Sequence, residues 1–92
     1  MSIKSVSREL EKALKALANR RRLHIVAYLK RHGEANVLDI AEELDLSFRA
    51  TSRHLNVLRL AGVLERDQRD THMWYRVVGG HPALADRLIE LL

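Results

Sequence analysis

Apolar side chains recur every three or four residues along the first third of the chain, which is the spacing of a helix with one buried face. This spacing predicts helix 1 over residues 3–17 and helix 2 over about residues 20–32. Asn19 is suited to cap helix 2 because its side chain can accept a hydrogen bond from a free amide of the first turn. Gly33 is suited to end it. The chain therefore begins with two amphipathic helices.

Two further helices are predicted in close succession. Asn36 is suited to cap a short helix 3, and Ser47 is suited to cap helix 4, which ends at Gly62. About three residues separate the two helices, and the second is basic. This is the outline of a helix-turn-helix, which we place at about residues 37–61.

The hydrophobic period changes after the fourth helix. Residues 63–67 and 73–78 are short runs of β-branched, aromatic and apolar residues with a polar stretch between them, which predicts a two-stranded hairpin. Pro82 fits the first turn of a last helix that reaches Leu92. This helix is too short to be stable alone and is apolar on more than one side, so it must pack on something, for which a partner subunit is the natural candidate. We predict one mainly helical α+β domain over residues 1–92.

Basic residues are grouped along the chain. The net charge is +4, and no acid lies between Glu11 and Glu34 or within residues 46–64. Such grouping suits a polyanion such as nucleic acid, although charge alone leaves open an ordinary solvated surface. Residues 20–22 are three arginines at the positive end of helix 2, which indicates an anion there, either a carboxylate or a phosphate.

Several classes of protein are disfavoured by composition. The chain has no cysteine, which excludes disulfides, thiolate zinc sites and thiol redox sensing. No apolar run approaches the roughly 20 residues of a membrane span, and no signal peptide follows Met1, so we expect a cytoplasmic protein with no membrane partner. Paired carboxylates, a Ser-His-Asp arrangement and a glycine-rich phosphate loop are all missing, so an enzyme is not expected.

Helix 4 has two chemically different sides when its residues are placed at about 100° per residue. Thr51, Leu55 and Leu58 fall on one side, which we expect to dock on helices 2 and 3. The other side holds Arg49 and Arg53 together with a serine and an asparagine. Arginine can pair with guanine and asparagine with adenine, so this side is suited to read bases in the major groove.

Four more positions on or next to helix 4 have predicted roles. Ser47 and the free amides of the first turn can bind a phosphate, and the small Ala50 allows a close approach. His54 lies at the boundary of the two sides, where it is either a satisfied interfacial histidine or a phosphate contact. Leu60 projects on the polar side, and we expect it to meet the hairpin or helix 1.

Residues 46–58, with Ser-Arg-His-Leu at 52–55, resemble the recognition segment of the ArsR family of winged-helix repressors. Residues 75–77 resemble that family's second wing strand. Residues 17–23 are similar to the opening of its second helix, although the usual aspartate and proline are absent. The resemblance covers about residues 14–78.

The resemblance implies a winged helix-turn-helix with about five helices and a wing at about residues 63–78. It also implies a homodimeric repressor that pairs terminal helices at about 3–18 and 82–92, and that sets one recognition helix in each of two successive major grooves of an inverted-repeat operator in double-stranded DNA. Arg66 or Arg69 is then placed to touch the flanking backbone. The predicted DNA-binding residues are Ser47, Arg49, Ala50, Ser52, Arg53, His54, Asn56 and Arg69. The predicted dimer interface is Val6, Leu10, Leu14, Leu84, Leu88 and Leu91.

Many members of that family release DNA when a metal or an oxidant binds. The thiolate pair of the third-helix site has no equivalent at residues 36–39, and the carboxylate and imidazole pattern of the last helix is incomplete. Asp70 and His72 have a ligand-like spacing but belong to the hairpin, where solvated side chains are the ordinary case. We therefore predict no metal and no cofactor, and the sequence indicates no inducer.

A winged-helix module for protein–protein interaction, without direct base readout, is the alternative. Its basic helix would meet an acidic partner, and the apolar last helix and Leu60 are the features that favour it. Replacement of Arg49 and Arg53 by alanine separates the two hypotheses, because only the DNA reader loses its binding to a duplex.

Overall fold

The computed structural model describes residues 8–78 and 83–92, and in residues 83–85 the backbone alone. It confirms a mainly helical α+β fold in which five helices surround a small sheet. In chain order the elements are α1 (Arg8–Leu17), α2 (Arg20–His32), β1 (Ala35–Asn36), α3 (Val37–Leu44), α4 (Phe48–Leu60), β2 (Leu64–Arg69), β3 (His72–Val77) and α5 (Ala83–Glu90).

Local capping interactions set the helix boundaries that the sequence predicts. The side chains of Asn19, Asn36 and Ser47 each accept a hydrogen bond from the amide three residues later, at 3.1, 2.9 and 3.0 Å. Each satisfies one of the amides that a helix start leaves unpaired. Gly33 ends α2 at a φ of 83°, and its amide donates to the Leu29 carbonyl at 2.8 Å. The turn between α3 and α4 is consequently only three residues long.

The sheet has three antiparallel strands in the order β1, β3, β2. The predicted two-stranded hairpin is confirmed as β2 and β3, and β1 adds a third strand that the sequence does not predict, with Ala35 opposite Tyr75. Half of the polar stretch between the two predicted runs, Gln68 and Arg69, is also strand, since the hairpin pairing continues to Arg69 opposite His72. Only Asp70 and Thr71 remain in the turn, and Asp70 closes it with a φ of 55°.

The core lies where α4 packs against α1, α2, α3 and β2. Each fully buried aliphatic side chain contributes about 1.5–3 kcal/mol relative to an exposed one, so this packing fixes which side of α4 faces outward. The largest side chains that are fully buried are Ile25, Val26, Leu29, Ile40, Thr51, Leu55, Leu58 and Val63.

Arg22 joins the start of α2 to the end of α1. Its Nε donates to the Ala16 carbonyl at 2.5 Å, and its Nη2 contacts the Lys15 carbonyl at 3.5 Å. Carbonyls at a helix end are unpaired and carry partial negative charge, so they stabilise a cation. The sequence predicts a carboxylate or phosphate beside the three arginines, but Arg22 uses these carbonyls instead.

The last helix packs on α1, and Ile89 is buried in the core. Lys30 fixes its end by donating to the carbonyls of Ile89 and Glu90 at 2.7 and 3.0 Å. An apolar cavity of about 420 Å³, open to solvent, lies between α1, α2 and α5. Its lining residues are Leu14, Leu17, Ala18, Leu23, Leu88, Leu91 and Leu92.

The predicted dimer residues fall partly on this cavity. Leu14 and Leu88 line it half-buried, and Leu91 lines it with 81% of its surface exposed. Leu10 is packed against the core instead. Val6 and the side chain of Leu84 lie outside the described residues.

Candidate nucleic-acid interface

The outward side of α4 presents two arginines. Arg49 and Arg53 are exposed and lie four residues apart, so they project from the same side of the helix. Across residues 8–78 and 83–92, neither guanidinium forms an ion pair with a carboxylate. The opposite side carries Thr51, Leu55 and Leu58, each with 0% of its surface exposed. The two sides of α4 are therefore divided as the sequence predicts.

The first turn of α4 is fixed by Ser47. Its Oγ accepts from the Ala50 amide, and its carbonyl accepts from Thr51 Oγ1 at 2.8 Å. Ser47 is exposed, whereas Ala50 and Ser52 are half-buried. A serine hydroxyl that accepts one hydrogen bond still has its own proton to donate. The Ser47 side chain can therefore cap the helix and donate to a phosphate at the same time.

Asn56 is exposed but has a partner. Its Oδ1 accepts from Arg59 Nη2 at 2.7 Å. The Nε of the same arginine is buried and has no hydrogen-bond partner within the described part of the chain. Because recognition of adenine uses both the oxygen and the nitrogen of the asparagine amide, Arg59 would have to share or release that oxygen.

His54 faces the start of α2. Its Nδ1 lies 3.5 Å from Arg22 Nη1. Burial lowers the pKa of His54 below its usual 6.5, and the positive charges of Arg22 and Arg21 lower it further. The imidazole is thus neutral at pH 7. Of the two roles that the sequence leaves open, this geometry favours the interfacial histidine over a charged phosphate contact.

Arg69 is engaged within the wing. Its guanidinium donates to both carboxylate oxygens of Glu34 at 2.5 and 3.2 Å and to Asp67 at 2.9 Å. It also lies 5.2 Å from the centre of the Trp74 ring. Hydrogen bonds with Glu34 and then Asp67 raise the pKa of Arg69. Arg69 is consequently not free to contact a DNA backbone in this conformation.

Arg76 is also engaged by carboxylates of the wing. Arg76 donates to Glu65 at 2.8 Å and to Asp67 at 2.5 Å. Hydrogen bonds from Arg76 and Arg69 lower the pKa of Asp67. Arg66 is different, because it is exposed and donates to the Tyr75 hydroxyl at 3.1 Å. Among the residues that the structure describes, Arg66 has no carboxylate partner, so it is the wing cation available to a phosphate.

Leu60 lies beside α1 but is covered neither by α1 nor by the hairpin. Leu60 keeps 65% of its surface exposed and Val57 keeps 40%. Both border a shallow, mainly apolar cavity of about 380 Å³ between α1 and α4, whose rim includes Lys12 and Lys15. The reason is geometric, because α1 leaves a gap there instead of covering the end of α4.

Comparison with known protein families assigns the chain to one of them. The model of the family described as "Bacterial regulatory protein, arsR family" matches residues 19–66, just over half of the chain. The chain belongs to the ArsR family. The match runs from the cap of α2 through β2, so it contains the whole helix-turn-helix.

A relative found by sequence similarity supports the assignment to the ArsR family. The arsenical resistance operon repressor of Escherichia coli strain K12 is 38% identical over 76 residues, which are 83% of this chain and 65% of that protein. The chain thus spans slightly less than two thirds of that relative.

Solved structures are similar over most of their length. HlyU from Vibrio cholerae is 31% identical, with a TM-score of 0.79 over 99% of this chain and 92% of that one. The homodimeric winged helix-turn-helix DNA-binding domain of a possible ArsR-family regulator from Mycobacterium bovis is 32% identical, with a TM-score of 0.77 over 90% of this chain and 73% of that one. The fold is therefore a winged helix-turn-helix.

Metal sites and membrane spans are both absent from the described residues of this ArsR-family chain. No group of three or more histidine, aspartate or glutamate residues is placed to hold a metal ion in residues 8–78 and 83–92. None of the helices in the same described ranges has the length and apolar character needed to cross a membrane. The prediction that the chain uses no metal stays a prediction.

Proposed function

We propose that this ArsR-family chain is a sequence-specific regulator of transcription that binds double-stranded DNA and acts as a homodimeric repressor. The observation that carries the proposal is the exposed pair Arg49 and Arg53 on α4, which has no carboxylate partner in the described part of the chain. Leaving two arginines unpaired on a helix whose other side is anchored in the core suits an external anion. The E. coli relative is a repressor, which supports the regulatory role.

The dimensions of α4 are compatible with the major groove. An α-helix with its side chains is about 10–12 Å wide, and the groove is about 12 Å wide. With α4 in the groove, Arg49 and Arg53 face base edges and Ser47 faces the backbone at the helix start. Each arginine that pairs with a guanine in a bidentate manner contributes about 1–3 kcal/mol of discrimination.

Dimerisation is proposed through α1 and α5. The apolar cavity bordered by Leu14, Leu88 and Leu91 is the surface that a second copy would cover. The M. bovis relative is homodimeric, which supports this arrangement. A two-fold dimer reads an inverted repeat whose half-sites lie about 34–36 Å apart along the duplex.

We place this regulator in the cytoplasm, together with its DNA, and assign it no catalytic step. Both assignments are supported by the family of the chain, which is described as one of bacterial regulatory proteins. Loss of a measured turnover on replacement of a histidine would overturn the second assignment.

Selection from a random pool of duplexes with the purified chain tests the proposed function. We expect enrichment of an inverted repeat with half-site centres about 10–10.5 base pairs, or a multiple of that, apart. Failure to enrich any sequence would contradict specific DNA binding and transfer support to the protein-interaction alternative.

Alanine variants then test which residues read the selected duplex. Arg49→Ala and Arg53→Ala should each weaken binding by about 1–3 kcal/mol and relax the preference at one base position. Arg31→Ala is the matched control, because Arg31 is an equally charged, exposed residue in the last turn of α2. Equal losses for all three variants would reduce the effect to net charge and contradict base readout.

A further inference from the structure

A second cationic feature lies beside α4, away from the side that carries Arg49 and Arg53. It is an open cavity of about 450 Å³ between the start of α2, the end of α3 and one flank of α4. Its lining residues are Asn19, Arg20, Arg21, His24, Leu44 and His54.

The charge of this cavity is not balanced by nearby acids. Arg20 and Arg21 are exposed, and the first turn of α2 contains no acidic residue. In the two described stretches of the chain, neither arginine forms an ion pair. None of the described residues that line the cavity carries a carboxylate, and the His24 ring, which lines it, contacts the Glu43 carboxylate at 3.1 Å. Two cations therefore remain available to an anion from outside.

The position of the two arginines adds to this imbalance. Both stand at the positive end of α2, where a cation is unfavourable unless an anion is close. The adjacent Arg22 resolves the same conflict by turning back to the Ala16 carbonyl at the end of α1. Among the described residues, Arg20 and Arg21 have no such partner. No contact within the described part of the chain therefore stabilises their two positive charges.

The cavity is next to the helix that we place in the major groove. His54 of α4 lines it and follows Arg53 in the chain. A helix that fills the groove turns its flanks toward the two phosphate backbones that border that groove. With α4 in the groove, the flank that carries His54 would lie toward one backbone, and the cavity borders that flank.

We propose that this cavity receives a phosphate of the DNA backbone at the edge of the major groove occupied by α4, and that Arg20 and Arg21 bind it. The inference rests on the proposed function, because the phosphate comes from the duplex that α4 reads. Contacts of this kind set the register of a protein on DNA and carry no sequence information of their own.

The salt dependence of binding distinguishes this site from the base-reading residues. A titration of the selected duplex at salt concentrations from about 50 to 200 mM gives the slope of log K against log salt, which changes by about 0.9 for each phosphate that the protein no longer neutralises. Arg20→Gln combined with Arg21→Gln should make that slope shallower by about 0.9, because one phosphate is no longer neutralised. The variant should weaken binding to the selected duplex and to a scrambled duplex by the same factor.

Arg31→Gln is the control for loss of one surface charge at the opposite end of α2, and it should leave the slope within error of the original. An unchanged slope in the double variant, with specific binding retained, would overturn the inference while the proposed function stands. Failure of the unmodified chain to bind any duplex would instead overturn the proposed function. In a separate titration of the protein alone, saturable binding of inorganic phosphate at micromolar concentration, abolished in the double variant, would reassign the cavity to a free anion.

Discussion

Arg22→Met isolates the contribution of the guanidinium that joins α2 to α1. Methionine retains most of the aliphatic stem of arginine but cannot donate to the Ala16 carbonyl, which Arg22 Nε now reaches at 2.5 Å. It also removes the positive charge that lies 3.5 Å from His54 Nδ1. The substitution should therefore lower the stability of the fold and raise the pKa of His54.

The size of this effect follows from the same contacts. A hydrogen bond from a charged group contributes about 1.5–3 kcal/mol, and a cation at a helix end about 0.3–1 kcal/mol. Arg22 is half-buried, so water competes for its contacts and the lower part of each range applies. We expect the free energy of unfolding to fall by about 2 kcal/mol, which corresponds to a decrease in Tm of about 8–16 °C for a domain of this size.

Thermal and urea unfolding followed by circular dichroism measure the destabilisation, and NMR titration of the His54 ring measures its pKa. Arg21→Met is the matched control, since Arg21 is exposed, also lowers the pKa of His54, and has no bond to α1 among the described residues. It should change the Tm by much less than Arg22→Met. Equal Tm values for the two variants would refute the role assigned to Arg22.

Three further substitutions test other parts of the account. Because burial and Arg22 lower the pKa of His54 from 6.5, the unfolded chain binds a proton that the folded chain does not as the pH falls below 6.5. The free energy of unfolding should therefore fall as the pH drops below 6.5. His54→Gln should reduce this pH dependence, and an unchanged dependence would contradict the lowered pKa assigned to His54. Gly62 has a φ of 78°, and no atom beyond its two chain neighbours lies within 4 Å of the point where a Cβ would stand, so Gly62→Ala should cost about 1–2 kcal/mol in urea unfolding from backbone strain alone; full retention of stability would contradict that explanation. Leu55→Ala should cost about 2–5 kcal/mol because Leu55 is fully buried on the inner side of α4, and a cost below about 1 kcal/mol would place it outside the core.

The parts of the fold that the sequence predicts well are those that short-range interactions decide. Asn19, Asn36 and Ser47 each bond to an amide three residues away, so their neighbours in the chain suffice to identify them as caps. The division of α4 into buried and exposed sides is equally local, because helical periodicity alone separates Leu55 from Arg53. These features place the candidate DNA-reading surface before any tertiary contact is known.

The features that sequence reasoning misses depend on partners far along the chain. Strand β1 has two residues and no periodicity of its own, and it exists because β3 lies beside it. The sequence alone presents Arg69 as available to DNA, because its partner Glu34 is 35 positions away. The exposure of Leu60 depends only on the path of α1, which leaves the end of α4 uncovered. None of these contacts leaves a signal in the local pattern.

The proposed function requires that the outward side of α4 contacts the bases of a DNA duplex. The most direct measurement is an NMR titration of the isotope-labelled chain with the duplex enriched in the selection, followed through the backbone amides and the arginine Nε–H signals. We predict that the largest shifts fall on residues 47–56 and on the side chains of Arg49 and Arg53. Unchanged α4 signals at saturation, with the shifts gathered on another surface, would contradict it.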